Sequence, residues 1–147
     1  MSHVRKQIRD YFAVSLNGLT TTGSKVYASR VYPLQSENLP AVLVYTTSED
    51  ADEVAFSKQR VQNRVVDVMV EGYVKAVTGF DDTLDQIARE VEEALLDDPT
   101  CGGLSQNMVL TSTETEYSGE GETPVGTIRM TFQVNYRTVT GSPDSAI

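Results

Sequence analysis

Histidine and cysteine serve most readily as base and nucleophile near neutral pH. Each occurs once here, as His3 and Cys101. A thiolate needs a basic partner, and a Ser-His-Asp arrangement needs its histidine on a rigid element. His3 lies beside a terminus, and Cys101 lies in a loop-like stretch between Pro99 and Gly103. Neither arrangement is expected. A single cysteine also precludes an intrachain disulfide, which fits a reducing compartment.

Carboxylates offer the remaining candidate chemistry. Glu49, Asp50, Asp52 and Glu53 crowd one stretch, and Asp81, Asp82 and Asp85 another. Neither spacing matches a calcium loop. Acids early in a helix complement its dipole, so the second group has a structural reading. Glycoside chemistry needs a carboxylate pair at a set separation, and no such pair can be located. Gly119 and Gly121 alternate with Glu120 and Glu122, which would repel a phosphate and do not form a phosphate loop. No catalytic set, cofactor or metal is expected, and the chain does not read as an enzyme.

The bases form two groups, Arg5, Lys6 and Arg9, then Lys58, Arg60 and Arg64. Neither has the aromatic interleaving of a base-stacking platform. Against 21 acids stand 12 bases, for a formal net charge of -9. Such a surface opposes phosphate binding, yet suits a protein past which DNA must slide. Arg60 and Arg64 are open to pairing with acids of a neighbouring chain or of their own.

Periodicity predicts the elements that carry these groups. Val4, Ile8, Phe12 and Leu16 recur every fourth residue, which predicts a helix capped at Ser2 and stopped at Gly18. A short strand is expected from Lys25 to Tyr32. Tyr32 and Leu39 precede prolines and should be extended, and Pro40 can open a strand. Ala41 to Thr46 reads as a covered strand, and Ser48 to Glu53 as an acidic loop. Val54 to Phe56 is expected as a short strand or part of a long hairpin arm. Arg64 to Tyr73 alternates, with Val66, Val68 and Val70 on one face. Asp82 to Leu96 is a second helix, with Leu84, Ile87, Ala88, Val91, Ala94 and Leu95 on its apolar side and Asp81 or Asp82 as cap. Met108 to Tyr117 and Thr127 to Val139 are strands. The latter sends Ile128, Met130, Phe132, Val134 and Tyr136 one way.

The simplest arrangement that buries these faces is α+β, an α/β sandwich. It has a single mixed, mainly antiparallel sheet with two helices on one face. One domain is expected over 1–140, with 141–147 a flexible tail. No apolar run reaches the length of a membrane helix and no signal-peptide segment is visible. The chain reads as soluble and intracellular.

The order of these segments resembles the tail terminator family of long-tailed bacteriophages, the minor tail proteins that close the tail tube. The features that carry the resemblance run from Val4 to Thr138. They are the first helix, Arg30 to Pro33, Leu39 to Tyr45 with the acids after it, Val66 to Glu71, the helix Leu84 to Glu93, and Met130 to Tyr136. The resemblance implies a mixed sheet with helices on one side. It implies a hexameric ring at the head-proximal end of the virion tail, assembled in the host cytoplasm. The ring would stop tube growth and join tail to head. Its partners would be copies of itself, the tail tube protein and a head-completion or connector protein. Genome DNA would pass without specific binding, and no membrane is involved. Thr46 to Phe56 resembles an arm near subunit contacts or the channel. Glu49, Asp50, Asp52, Glu53, Lys58, Arg60 and Arg64 are the interface or channel candidates. Another phage neck or tail-tube adaptor, or a small non-catalytic binding domain, are the alternatives.

Overall fold

The computed structural model describes residues 2–29, 39–55, 60–118 and 124–147. The expectations for Arg30 to Asn38, for Lys58 and for Gly119 to Thr123 lie outside the described residues. Helix α1 spans Val4–Leu16 and buries the four residues of its stripe, Val4, Ile8, Phe12 and Leu16. Its cap is His3 and not Ser2. The His3 Nδ1 accepts the Arg5 backbone N–H at 3.1 Å, satisfying a first-turn donor that has no helical partner. Helix α2 spans Phe80–Leu96 and buries Leu84, Ile87, Ala88, Val91 and Leu95. It starts earlier than its acids suggest. Gly79, at φ 82°, takes the cap position without a side-chain bond. Asp81 and Asp82 therefore sit inside the first turn, where charge meets the dipole directly.

Six strands form one sheet, in the order β1-β2-β3-β5-β4 with β6 added on β5. They are β1 (Val26–Tyr27), β2 (Ala41–Ala55), β3 (Val61–Lys75), β4 (Asn107–Ser118), β5 (Val125–Val139) and β6 (Ser142–Ala146). The β1–β2 pairing is parallel and the others are antiparallel. This is the α+β architecture expected from the sequence. A short 3₁₀ turn, Cys101–Gly103, joins α2 to β4.

The β3–β5 ladder runs without a slip from Val61↔Val139 to Lys75↔Val125. Its alternation sends Val66, Val68 and Val70 of β3 and Ile128, Met130, Phe132, Val134 and Tyr136 of β5 into the core under the helices. Phe12 of α1 meets Phe132 edge-on, with centroids 5.9 Å apart. Burying one such side chain is worth about 1.5–3 kcal/mol. The inward face of β5 thus supplies on the order of the whole net stability of a domain. A one-residue slip would turn that face outward, so β5 fixes the register of the sheet.

Two expectations are corrected. Ser48 to Glu53 is not a loop. These residues continue β2 and pair with β3 from Glu49↔Val66 to Glu53↔Gln62, after an irregularity beyond Thr46. The edge of β3 offers a backbone template there, and strand alternation divides the acids between two faces. Val54 and Ala55 continue β2 as a long hairpin arm, one of the two readings of Val54 to Phe56, and Phe56 lies outside the described residues. The C-terminal stretch is also not a loose tail. Ser142–Ala146 forms β6, and the Ile147 N–H donates to the Arg137 carbonyl at 3.0 Å.

Candidate functional site

The sheet has a covered face and an uncovered one, and each carries a polar cluster. On the helix side the centre is Glu49. Arg5 of α1 donates to its Oε2 at 2.7 Å and Arg64 of β3 at 3.2 Å. The Tyr136 hydroxyl donates to Oε1. Arg64 also donates to Thr138 Oγ1 at 3.2 Å and to Gln62 Oε1 at 2.9 Å. Glu49 therefore joins β2, β3, β5 and α1. Burial and the bond to Glu49 push the Tyr136 phenol well above its ordinary range. Burial, then the charges of Arg5 and Arg64, hold His3 below its ordinary value. A neutral ring is what the cap needs, because a protonated Nδ1 cannot accept.

On the uncovered face the centre is Glu71, 4% exposed. The Tyr45 and Tyr73 hydroxyls donate to it, and Arg129 Nε donates at 3.1 Å. Burial alone would raise the Glu71 carboxyl, but the two phenols and Arg129 outweigh it and hold it low. Burial and the same carboxylate push Tyr73 up. Arg129 Nη1 reaches Glu116 at 3.4 Å and Glu114 at 3.7 Å on β4. A depression of about 440 Å³ opens over this cluster, lined by Tyr45, Thr47, Met69, Glu71, Tyr73 and Arg129. A carboxylate held ionised by three donors is a poor proton acceptor. The arrangement is suited to charge recognition and not to acid–base work. Among the described residues no three His, Cys, Asp or Glu groups are placed to share a metal ion.

The residues singled out in the sequence do not form one site. Glu49 and Arg64 meet in the first cluster. Glu53 is half-buried and accepts from Thr140 Oγ1 at 3.3 Å. Asp50 and Asp52 pair with Val65 and Asn63, which places them on the uncovered face, where both are exposed. Arg60 is exposed beside the start of β3, and its carbonyl accepts the Thr140 N–H at 2.9 Å. The sequence reading missed Glu71, Arg129, Tyr45 and Tyr73. The available signal was the lone Glu71 in a valine-rich strand and Arg129 on the polar side of β5. Only the ladder register shows that they face each other.

A family model described as phage minor tail protein U matches residues 2–136. The chain belongs to that family. The resemblance to a phage tail family read from the sequence is borne out, and the protein is a structural component of the virion tail. No curated protein matches the chain. Among solved structures, a chain from the virion of a native gene transfer agent particle is similar at 15% identity and TM-score 0.48, covering 92% of each chain. As a member of the phage minor tail protein U family, the chain carries its two helices and sheet almost wholly inside the matched span. Among the described residues no helix is long and apolar enough to cross a membrane.

Proposed function

We propose that this protein closes the tail tube as a ring of six copies at the head-proximal end of the tail. One side of the ring meets the tail tube protein and the other a head-completion protein, and DNA passes through the middle. The role is structural and not enzymatic. The observation that carries this reading is the tail-protein family match over residues 2–136. The surface supports it. A closed ring joins one patch to a different patch on the next copy. The outer end of the β2–β3 hairpin presents Asp50 and Asp52 on the uncovered face of β2 and an exposed Arg60 just before β3. Glu49 and Arg64 are engaged within the chain, so their part is to hold the hairpin against α1. The net charge of -9 keeps a DNA path free of adhesion.

Mass measurement in solution, alone and with the tube protein, tests the reading. Six-copy assemblies, or six copies capping a tube end, are expected. A persistent monomer in both conditions would sink it. Labelling the protein in intact virions places it at the head-proximal end, or moves it elsewhere in the neck or tube.

A further inference from the structure

We infer that the free edge of β4 is a docking strand for an extended, lysine- or arginine-bearing segment of another protein. The inference rests on edge geometry and charge and goes beyond the ring reading, which it does not require.

β4 ends the sheet path, and no described element pairs with its outer side. Thr111 to Ser118 are all exposed. Such an edge presents unpaired N–H and C=O groups to any passing strand. Proteins usually block long edges with lysine, proline or short length. β4 has 12 residues with neither lysine nor proline among them, and its irregularity is confined to the step from Leu110 to Ser112. The stretch beyond that step is a regular ladder with β5. It is an intact template.

Charge selects the occupant. Glu114 and Glu116 stand on the uncovered face, opposite Arg129 and Thr127 of β5. Arg129 is contacted by Glu71, Glu114 and Glu116, so one guanidinium answers three carboxylates. Two negative charges remain uncompensated at the edge. Glu114 and Glu116 are 64% and 62% exposed, so both can turn to a new partner. Across an antiparallel pair, opposite charges stabilise and like charges oppose. A second copy pairing on the same edge about Thr115 brings Glu114 of one copy opposite Glu116 of the other. The other long acidic strand, β2, carries Asp50 and Asp52 on this same face. Self-pairing through either is disfavoured. A foreign strand with basic residues at alternate positions satisfies both the ladder and the charge.

The test is an NMR titration of the whole protein with a twelve-residue peptide alternating lysine and threonine. Controls are the same peptide with glutamate for lysine, and one N-methylated at alternate residues. The lysine peptide should shift and protect amides of β4 and the Arg129 side chain. Its affinity should fall about tenfold with E114Q/E116Q, since two cross-strand charge pairs are removed. Both control peptides should bind far more weakly. Equal binding of the lysine and glutamate peptides overturns the inference, as does a response centred away from β4. Protection of β4 that rises with protein concentration alone assigns the edge to a second copy and also overturns it. Should E114Q/E116Q fail to fold, the comparison of peptides on the unaltered protein still decides.

Discussion

Arg64 holds Glu49 at 3.2 Å across the β2–β3 hairpin, with the two side chains only 13% and 10% exposed. The pair converts an acidic stretch, which would otherwise repel itself into solvent, into part of the sheet. Arg5 and Tyr136 complete the shell, so removing the carboxylate leaves two cations close together at the sheet surface. Taking one member from a buried pair costs on the order of 3 kcal/mol. Glu49→Ala should lose about that much in urea unfolding at neutral pH. Asp50→Ala, at an exposed neighbouring position, should stay within about 0.5 kcal/mol. Equal effects from the two would refute the inward role of Glu49.

Glu71 makes stability depend on acid. Its folded value is depressed below the ordinary 4.5 by the two phenols and Arg129. The ionised form is therefore favoured by folding. The contribution is full above the ordinary value and is lost as pH falls through the folded one. Tyr45 and Tyr73 are raised above the ordinary 10. Their contribution is full below 10 and lost as pH rises through their folded values. Replacing Glu71 by Gln should flatten the loss of stability on going from about pH 5 to about pH 3. At neutral pH the variant should be weaker by about 1.5–3 kcal/mol, the worth of a bond to a charged group. Parallel acid profiles for the two proteins would contradict this assignment.

The helices and the core strands were legible because their signal is local. Val4, Ile8, Phe12 and Leu16 need only a period of four, and the inward face of β5 only a period of two. The acidic stretch after Thr46 was misread because Glu49 and Asp50 are poor strand formers on their own. Their pairing depends on β3, and no local rule reports a partner strand. β6 was missed for the same reason, since Pro143 and Asp144 carry a turn-like composition. The Glu71–Arg129 cluster depends on which rung of β3 faces which rung of β5. That register is set by packing some 58 residues apart in sequence, so the meeting of the two residues could not be read beforehand.

Gly126 faces Phe80 where β5 passes under the start of α2. A Cβ at that position would stand 2.5 Å from the ring. Phe80 in turn lies 5.7 Å from Tyr117 of β4, so the ring cannot retreat without disturbing a second contact. Overpacking of this kind costs about 1–3 kcal/mol. Gly126→Ala should lower stability by that amount in thermal or urea unfolding. Gly103→Ala meets no atom within 4 Å but sits at φ 96°, so it should suffer through backbone strain instead. A Gly126→Ala protein as stable as the parent would show that α2 rides more loosely over β5 than this contact requires.

Arg60 and Arg64 divide assembly from folding. Arg64 is spent on Glu49, Thr138 and Gln62. Arg60 is exposed and has no ion pair among the described residues. Reversing Arg64 to Glu sets two carboxylates against each other inside the hairpin, a like-charge contact with little solvent to screen it. The isolated subunit should unfold at lower urea. Reversing Arg60 to Glu leaves the fold within about 0.5 kcal/mol and acts only where a neighbour supplies an acid, as the exposed Asp50 and Asp52 of an adjacent copy do in the proposed ring. Its assembly should weaken and become more sensitive to salt. Sedimentation of each variant beside its unfolding curve separates the two effects. An Arg60→Glu protein that assembles like the parent removes this residue from the subunit contact. An Arg64→Glu protein that folds normally and fails only in assembly would reverse the roles assigned to the pair.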